Sequence, residues 1–400
     1  MILKWTKSIN RVVLSAVCIT YCALQLNADT IQSGFRMPVE WRIGVETGAG
    51  YVPGTNGFLK GENPGGKTIN SSLTGALRAG FSFNSASAEG LLYRGLYQGV
   101  GVSVNSFFAP NILGTPLSAY VYQGAPIVAI SPRLSLGYEW RFGAAFGWKH
   151  YTEEQVENKA PVSTSTTAHM GLGLKLQYRI TEHWNMTLGV DATHYSNGNT
   201  SIPNAGVNSI GASIGLAYTL NPQQRKSARN VQLEAEADSL QWIYDIVVYG
   251  AWRKRIMAIE NEPVLCPGKF GVIGIQFAPM LKLNRWVAVG PSLDMQYDES
   301  AGLSPYWVEG SYDENIKFHR PPFDKQISIG LSAHAELTMP IFSVNAGLGY
   351  DMLNPVGNRR FYQSLALKAF ITKRLFLNVG YRLGEFKEPQ NLMLGAGIRL

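Results

Sequence analysis

Charge is scarce in this 400-residue chain. Asp, Glu, Lys and Arg make up 16% of it, against roughly 25% in an average soluble domain. That scarcity argues against a row of two or three soluble domains. Long apolar runs are missing beyond the N-terminus, and mean hydropathy is −0.04. A polytopic helical membrane protein, which needs several runs of about 20 apolar residues, is thereby excluded. Cysteine is nearly absent, and two of the three, Cys18 and Cys22, fall close to the start. Cys266 is left alone, so neither an intrachain disulfide nor a cysteine metal cluster is expected. Disorder is excluded by 46% apolar and 11% aromatic content. What the chain does have is glycine, 42 residues of it. Few charges, many glycines and neutral hydropathy fit apolar residues spread in alternation, the habit of a transmembrane β-barrel.

The one apolar run reads as an export signal. Lys4, Lys7 and Arg11 precede an apolar stretch from Val12 to Leu24, and cleavage is expected after Ala28, making residues 1–28 a signal peptide. A lipoprotein site at Cys22 is disfavoured by the bulk of Tyr21, and a membrane anchor by the shortness of the stretch. Cleavage removes three basic and no acidic residues, lowering the net charge from +7 to +4. Much of the basicity is therefore targeting, and no nucleic-acid partner is expected. The expected destination is the bacterial outer membrane.

From Trp41 to Leu400 the chain alternates. In 327–339, Ile327, Ile329, Leu331, Ala333, Ala335, Leu337 and Met339 share one face, while Ser328, Gly330, Ser332, His334, Glu336 and Thr338 share the other. In 375–383, Leu375, Leu377, Val379, Tyr381 and Leu383 oppose Phe376, Asn378, Gly380 and Arg382. Period-two alternation sorts such rows onto opposite sides of a sheet. Short turns at 181–184, 283–286, 340–341 and 372–374 alternate with longer loops at 150–167, 253–269, 298–325 and 384–391. That asymmetry marks the periplasmic and exterior ends of a barrel.

The fold expected is all-β, a transmembrane antiparallel barrel of about sixteen strands in one closed sheet. Residues 40–220 and 242–400 supply the two halves, joined by a polar connector at 221–241. Two eight-stranded barrels in tandem are the alternative, because Ser213-x-Gly215-x-x-Tyr218-x-Leu220 resembles the terminal assembly signal Gly395-x-x-Ile398-x-Leu400.

One hairpin departs from the pattern. Trp184, Met186, Leu188, Val190 and Ala192 form a lipid-facing row, and its continuation adds His194 and Ser196. On the next strand Ile210, Ala212, Ile214, Leu216, Tyr218 and Leu220 face lipid, and one step back lies Asn208. Polar groups on a lipid-exposed face are costly unless they pair or lie near the interface. The trio either marks the edge of the hydrocarbon band or forms a nucleophile and base aimed into the outer leaflet. In the second reading His194 takes the proton of Ser196 and Asn208 orients the imidazole. The basic residues near exterior loops, among them Lys149, Arg253, Arg255 and Arg359, read mostly as solvated loop charge. His334 reads as a lumen residue beside Glu336.

His194-Tyr195-Ser196-Asn197-Gly198, Pro203-Asn204-Ala205-Gly206 and Asn208-Ser209 resemble the signature of the outer-membrane lipid A 3-O-deacylase (acyloxyacyl hydrolase) family, over about residues 40–220. The resemblance implies Ser196 as nucleophile, His194 as general base and Asn197 as a contributor to the oxyanion hole. Asn208 stands where the family often has Glu. It also implies hydrolysis of an ester-linked acyl chain, 3-O, of lipid A in lipopolysaccharide, with neither cofactor nor metal. A porin or scaffold barrel that retains the hairpin without activity is the other functional reading.

Overall fold

A computed structural model describes residues 39–83, 93, 95–151, 160–222, 240–259, 262–306, 317–354, 360–386 and 388–400. The expected signal peptide lies outside the described residues, as does most of the expected connector. The described chain is built of β-strands, with a short 3-10 turn at Phe323–Gln326.

The first unit holds β1 (Val39–Tyr51), β2 (Ser71–Phe83), β3 (Tyr97–Ser106), β4 (Gly114–Ala129), β5 (Leu134–Trp148), β6 (Thr166–Arg179), β7 (Trp184–Ser196) and β8 (Val207–Thr219). Sequential neighbours pair antiparallel, and β1 pairs back onto β8, from Arg42 opposite Thr219 to Tyr51 opposite Ile210. The second unit holds β9 (Gln241–Arg253), β10 (Ile256–Ile259), β11 (Glu262–Leu265), β12 (Phe270–Lys282) and β13 (Val287–Asp298). It continues with β14 (Ser304–Tyr306), β15 (Lys317–His319), β16 (Ile327–Thr338), β17 (Phe342–Leu353), β18 (Phe361–Phe370), β19 (Leu375–Gly384) and β20 (Glu388–Arg399). β9, β12, β13 and β16 to β20 close a second barrel, with β9 against β20; β10–β11 and β14–β15 form separate hairpins within loops.

The tandem arrangement therefore replaces the single large barrel favoured from the sequence. Alternation looks the same whichever strand β8 pairs with, so period and strand number do not reveal where the sheet closes. The clue was the terminal-type motif, which lies at the end of β8, the closing strand of the first barrel. Closure leaves no unpaired edge, the condition for a sheet to stand in hydrocarbon.

Alternation places the rows as expected. Along β16, Leu331, Ala333, Ala335 and Leu337 are exposed on the outside, and Ser332, His334 and Glu336 are buried within. Aromatic pairs stand where β1, β7 and β8 meet the short-turn end: Trp41 against Phe81 at 5.6 Å, and Trp184 against Tyr218 at 4.9 Å. Such girdles mark a membrane interface.

Both lumens are filled by charged side chains in mutual contact. In the first, Arg78 meets Glu46 at 2.8 Å and Glu139 at 2.6 Å. Arg141 meets Glu46 at 2.8 Å, and Glu139 and Asp191 each at 3.0 Å. Lys175, fully buried, lies 2.9 Å from Asp191 and from Ser213 Oγ. In the second, Lys368 and Arg399 both contact Asp245 and Glu336, at 2.5 to 2.7 Å. Arg382 grips Asp351 with two contacts of 2.8 Å and lies over the Tyr362 ring. Charges out of water are tolerable only in such satisfied networks.

At the long-loop end of the first barrel an apolar cap replaces the charges. Val52, Phe58, Leu59, Phe107, Leu113, Trp148, Ala160, Val162, Tyr195 and Val207 are all buried there. Phe107, Trp148 and Tyr195 form an aromatic group, with Trp148 and Tyr195 centroids 5.2 Å apart. Tyr151 Oη donates to the Ile112 carbonyl at 2.8 Å, tying one long loop to its neighbour.

Candidate active site

The polar trio sits at the long-loop end of β7 and β8. Because side chains alternate along a strand, His194 and Ser196 share the outer face with Leu188, Val190 and Ala192, and the intervening Tyr195 points inward. Tyr195 is 3% exposed, held against Trp148, Phe107 and His169 in the apolar cap. The strand segment carrying His194 and Ser196 is thus anchored from beneath. Asn208 is likewise flanked by a buried residue, Val207.

Register brings two of the trio together. His194 stands directly opposite Asn208 in the β7–β8 ladder. His194 Nδ1 lies 2.7 Å from Asn208 Oδ1. An amide oxygen only accepts, so Nδ1 carries a proton, and in the neutral ring the lone pair then lies on Nε2. That is the tautomer a general base needs. Ser196 lies two residues further along the same face, opposite Ala168 of β6. Among the described residues no hydrogen bond joins its hydroxyl to His194; catalytic contacts of this kind often tighten only when substrate binds. His194, Ser196 and Asn208 are each partly exposed on the outer surface.

Asn197, the fourth predicted residue, is buried at the start of the β7–β8 loop and organises it. Its backbone N–H donates to Asn204 Oδ1 at 3.0 Å, and its side-chain amide donates to the Ser201 carbonyl at 3.0 Å. Its own carbonyl accepts from Thr200 Oγ1 at 2.9 Å. Gly198 and Asn199 adopt φ of +63° and +62°, a left-handed conformation that glycine and asparagine tolerate best. At the far end of the loop the Gly206 N–H donates to the Pro161 carbonyl at 2.9 Å.

Tyr195, Asn204 and Gly206 stood in the sequence signature but were given no role there. Tyr195 was readable, since the residue between two outward side chains must point inward. The roles of Asn204 and Gly206 were not, because contacts inside an irregular loop follow no periodicity. The basic residues near the loops are largely engaged: Arg253 pairs with Asp298 and Arg255 donates to the Ser300 carbonyl, while Lys149 Nζ contacts the Asn111 carbonyl. Arg359 lies outside the described residues. His334 is buried between Ser332 Oγ and Asn345 Oδ1, facing the lumen. Among the described residues no group of three or more His, Cys, Asp or Glu side chains is disposed to hold a metal ion.

Two family models match the chain. Residues 112–217 match that of lipid A 3-O-deacylase (PagL), and residues 242–400 that of the acyloxyacyl hydrolase C-terminal domain. The second barrel, beyond the reach of the sequence resemblance, is thus covered as well. No match was found among curated proteins. Among solved structures, Neisserial surface protein A is 11% identical, with 44% of this chain and 96% of that one covered and a TM-score of 0.27. The outer membrane protein Omp33 of Acinetobacter baumannii is 9% identical, with 90% and 98% covered and a TM-score of 0.16. The two family models together take in well over half of the residues, and the chain belongs to the lipid A 3-O-deacylase family, hydrolases of the bacterial outer membrane.

Proposed function

We propose that this protein is a serine esterase that removes an ester-linked acyl chain, the 3-O chain, from lipid A in the outer leaflet. The observation that carries the reading is the 2.7 Å contact between His194 Nδ1 and Asn208 Oδ1 on a lipid-facing row. A polar pair placed there for stability alone would be an expense. Placed for chemistry, it presents a base to a substrate that never leaves the membrane.

In this reading the Ser196 hydroxyl loses its proton to His194 Nε2 as Oγ attacks the ester carbonyl. The resulting tetrahedral oxyanion calls for N–H donors in the loop that follows Ser196; those of Asn197 would have to turn to it from Asn204 and Ser201. Collapse of the intermediate expels the sugar hydroxyl, which takes the proton from His194. Water, activated by the same imidazole, then frees the fatty acid from Ser196. Asn208 holds the tautomer throughout but adds no negative charge to stabilise the imidazolium. The substrate is lipid A within lipopolysaccharide, and no step calls on a cofactor or a metal.

A porin is the less favoured reading, because ion networks occupy the interior of both barrels. The deciding test incubates the protein with lipopolysaccharide and weighs lipid A by mass spectrometry. Loss of one acyl chain, abolished by Ser196→Ala, is expected. Identical profiles from the native protein and the variant reject the esterase.

A further inference from the structure

We propose that Gly206 is a positioning residue for His194, an inference that rests on the reading of His194 as the general base. The loop closing the β7–β8 hairpin returns its backbone to the Cε1 edge of the imidazole. A Cβ at position 206 would stand 2.9 Å from His194 Cε1, 3.7 Å from Nδ1 and 3.1 Å from the Tyr195 carbonyl oxygen. The first of these distances is shorter than side-chain carbons tolerate, so the ring or the loop would have to move.

Neither is free to do so. The ring is tied through Nδ1 to Asn208, which stands opposite it in the ladder. The loop is tied through the Gly206 N–H to the Pro161 carbonyl. Pro161 sits between Ala160 and Val162, and Val207 follows Gly206; all three are buried in the apolar cap. With Cε1 backed by the loop and Nδ1 held by Asn208, Nε2 is the ring nitrogen left for proton transfer. The missing side chain thus lets packing on one edge and a hydrogen bond on the other set the imidazole together.

Glycine is demanded here on two separable grounds. Its φ of +73° is left-handed, and its Cβ position is blocked. Asparagine accepts that φ well but carries the Cβ, whereas alanine meets both obstacles. The pair Gly206→Ala and Gly206→Asn therefore separates backbone strain from the clash with His194.

The experiment uses the full-length protein in lipopolysaccharide-containing vesicles. It measures kcat and KM for deacylation and the rate at which a fluorophosphonate probe labels Ser196. Both variants are expected to lower kcat by about 10- to 100-fold with KM little changed, because a misplaced base penalises the transition state rather than binding. Labelling should slow in parallel. An undiminished kcat in Gly206→Ala overturns the proposal, as does recovery of kcat in Gly206→Asn alone. Heat-modifiable gel migration reports folding; if only Gly206→Ala fails to fold, Gly206→Asn decides. Failure of both to fold also overturns the proposal, since the barrel and not His194 would then require the glycine. A wild-type protein that neither deacylates nor labels at Ser196 defeats the esterase reading itself. An active wild type silenced by Ser196→Ala, beside a fully active Gly206→Ala, defeats only the positioning role.

Discussion

The two barrels each carry a serine, a histidine and an asparagine on adjacent strands, and they use them on opposite faces. In the first, His194 and Asn208 meet at 2.7 Å on the outer surface, with Ser196 further along the same row. In the second, His334 Nδ1 meets Asn345 Oδ1 at 2.5 Å and Nε2 meets Ser332 Oγ at 2.8 Å, all buried in the lumen. By contacts alone the lumenal trio is the better triad. Yet Ser332 Oγ also donates to Asp294 Oδ2 at 2.6 Å, which engages its proton in the interior network. A nucleophile so placed meets no lipid. The corresponding outer row of the second barrel's last hairpin simply continues with Tyr381, Leu383, Leu392 and Leu394. The contrast teaches that the side of the sheet, more than the company of residue types, separates a candidate active site from a structural cluster.

Four measurements would break or sharpen that contrast. The largest effect is expected from Ser196→Ala, which should abolish loss of the acyl chain while leaving the barrel folded, as read by mass spectrometry of lipid A. Next comes Asn208. Asn208→Ala should lower kcat by about 10²- to 10⁴-fold by releasing the tautomer of His194, whereas Asn208→Glu should preserve or raise it. An inactive but folded Asn208→Glu would count against the assignment of Asn208 as the orienting group.

The third concerns the interior. Glu139 accepts from Arg78, Arg141 and Tyr97, so Glu139→Gln removes one of the carboxylates that neutralise the two buried cations and leaves Glu46 and Asp191 to balance them. A loss of about 3–5 kcal/mol is expected, read as an earlier urea midpoint in lipid vesicles. Glu336→Gln should act similarly in the second barrel, where Lys368 and Arg399 share that carboxylate. A midpoint unmoved in both would mean that the networks are incidental to stability. The smallest effect is expected from Ser332→Ala, with deacylation unchanged and a stability loss of about 1 kcal/mol for the lost hydrogen bonds. A drop in deacylation there would show that the lumenal trio takes part after all.

Much of this was legible residue by residue. The parity of β7 already set His194 and Ser196 on the row of Leu188 and Val190, and the parity of β8 set Asn208 on the row of Ile210. Opposite placement of His194 and Asn208 was not legible, because ladder register depends on the turn that joins the strands. Closure of the first barrel after β8 was also misjudged. The pairing of Arg42 with Thr219 joins residues far apart in the chain, and the one local sign of it is the terminal-type motif at 213–220. Within the loop only Asn197 was given a role, although Asn204 and Gly206 stood in the signature; Asn204 accepts the Asn197 backbone N–H and Gly206 packs against His194 Cε1.

By itself, then, the sequence determined the class of the protein and the face on which each strand residue lies. Both follow from a period of two that every short segment expresses independently. Tertiary structure alone decided that the chain makes two barrels instead of one, that an aromatic cap anchors Tyr195 beneath the candidate site, and that a glycine packs against the imidazole. The physical reason is distance along the chain. Alternation is local, whereas closure, capping and the return of a loop to a side chain are settled only when remote segments compete for the same partners.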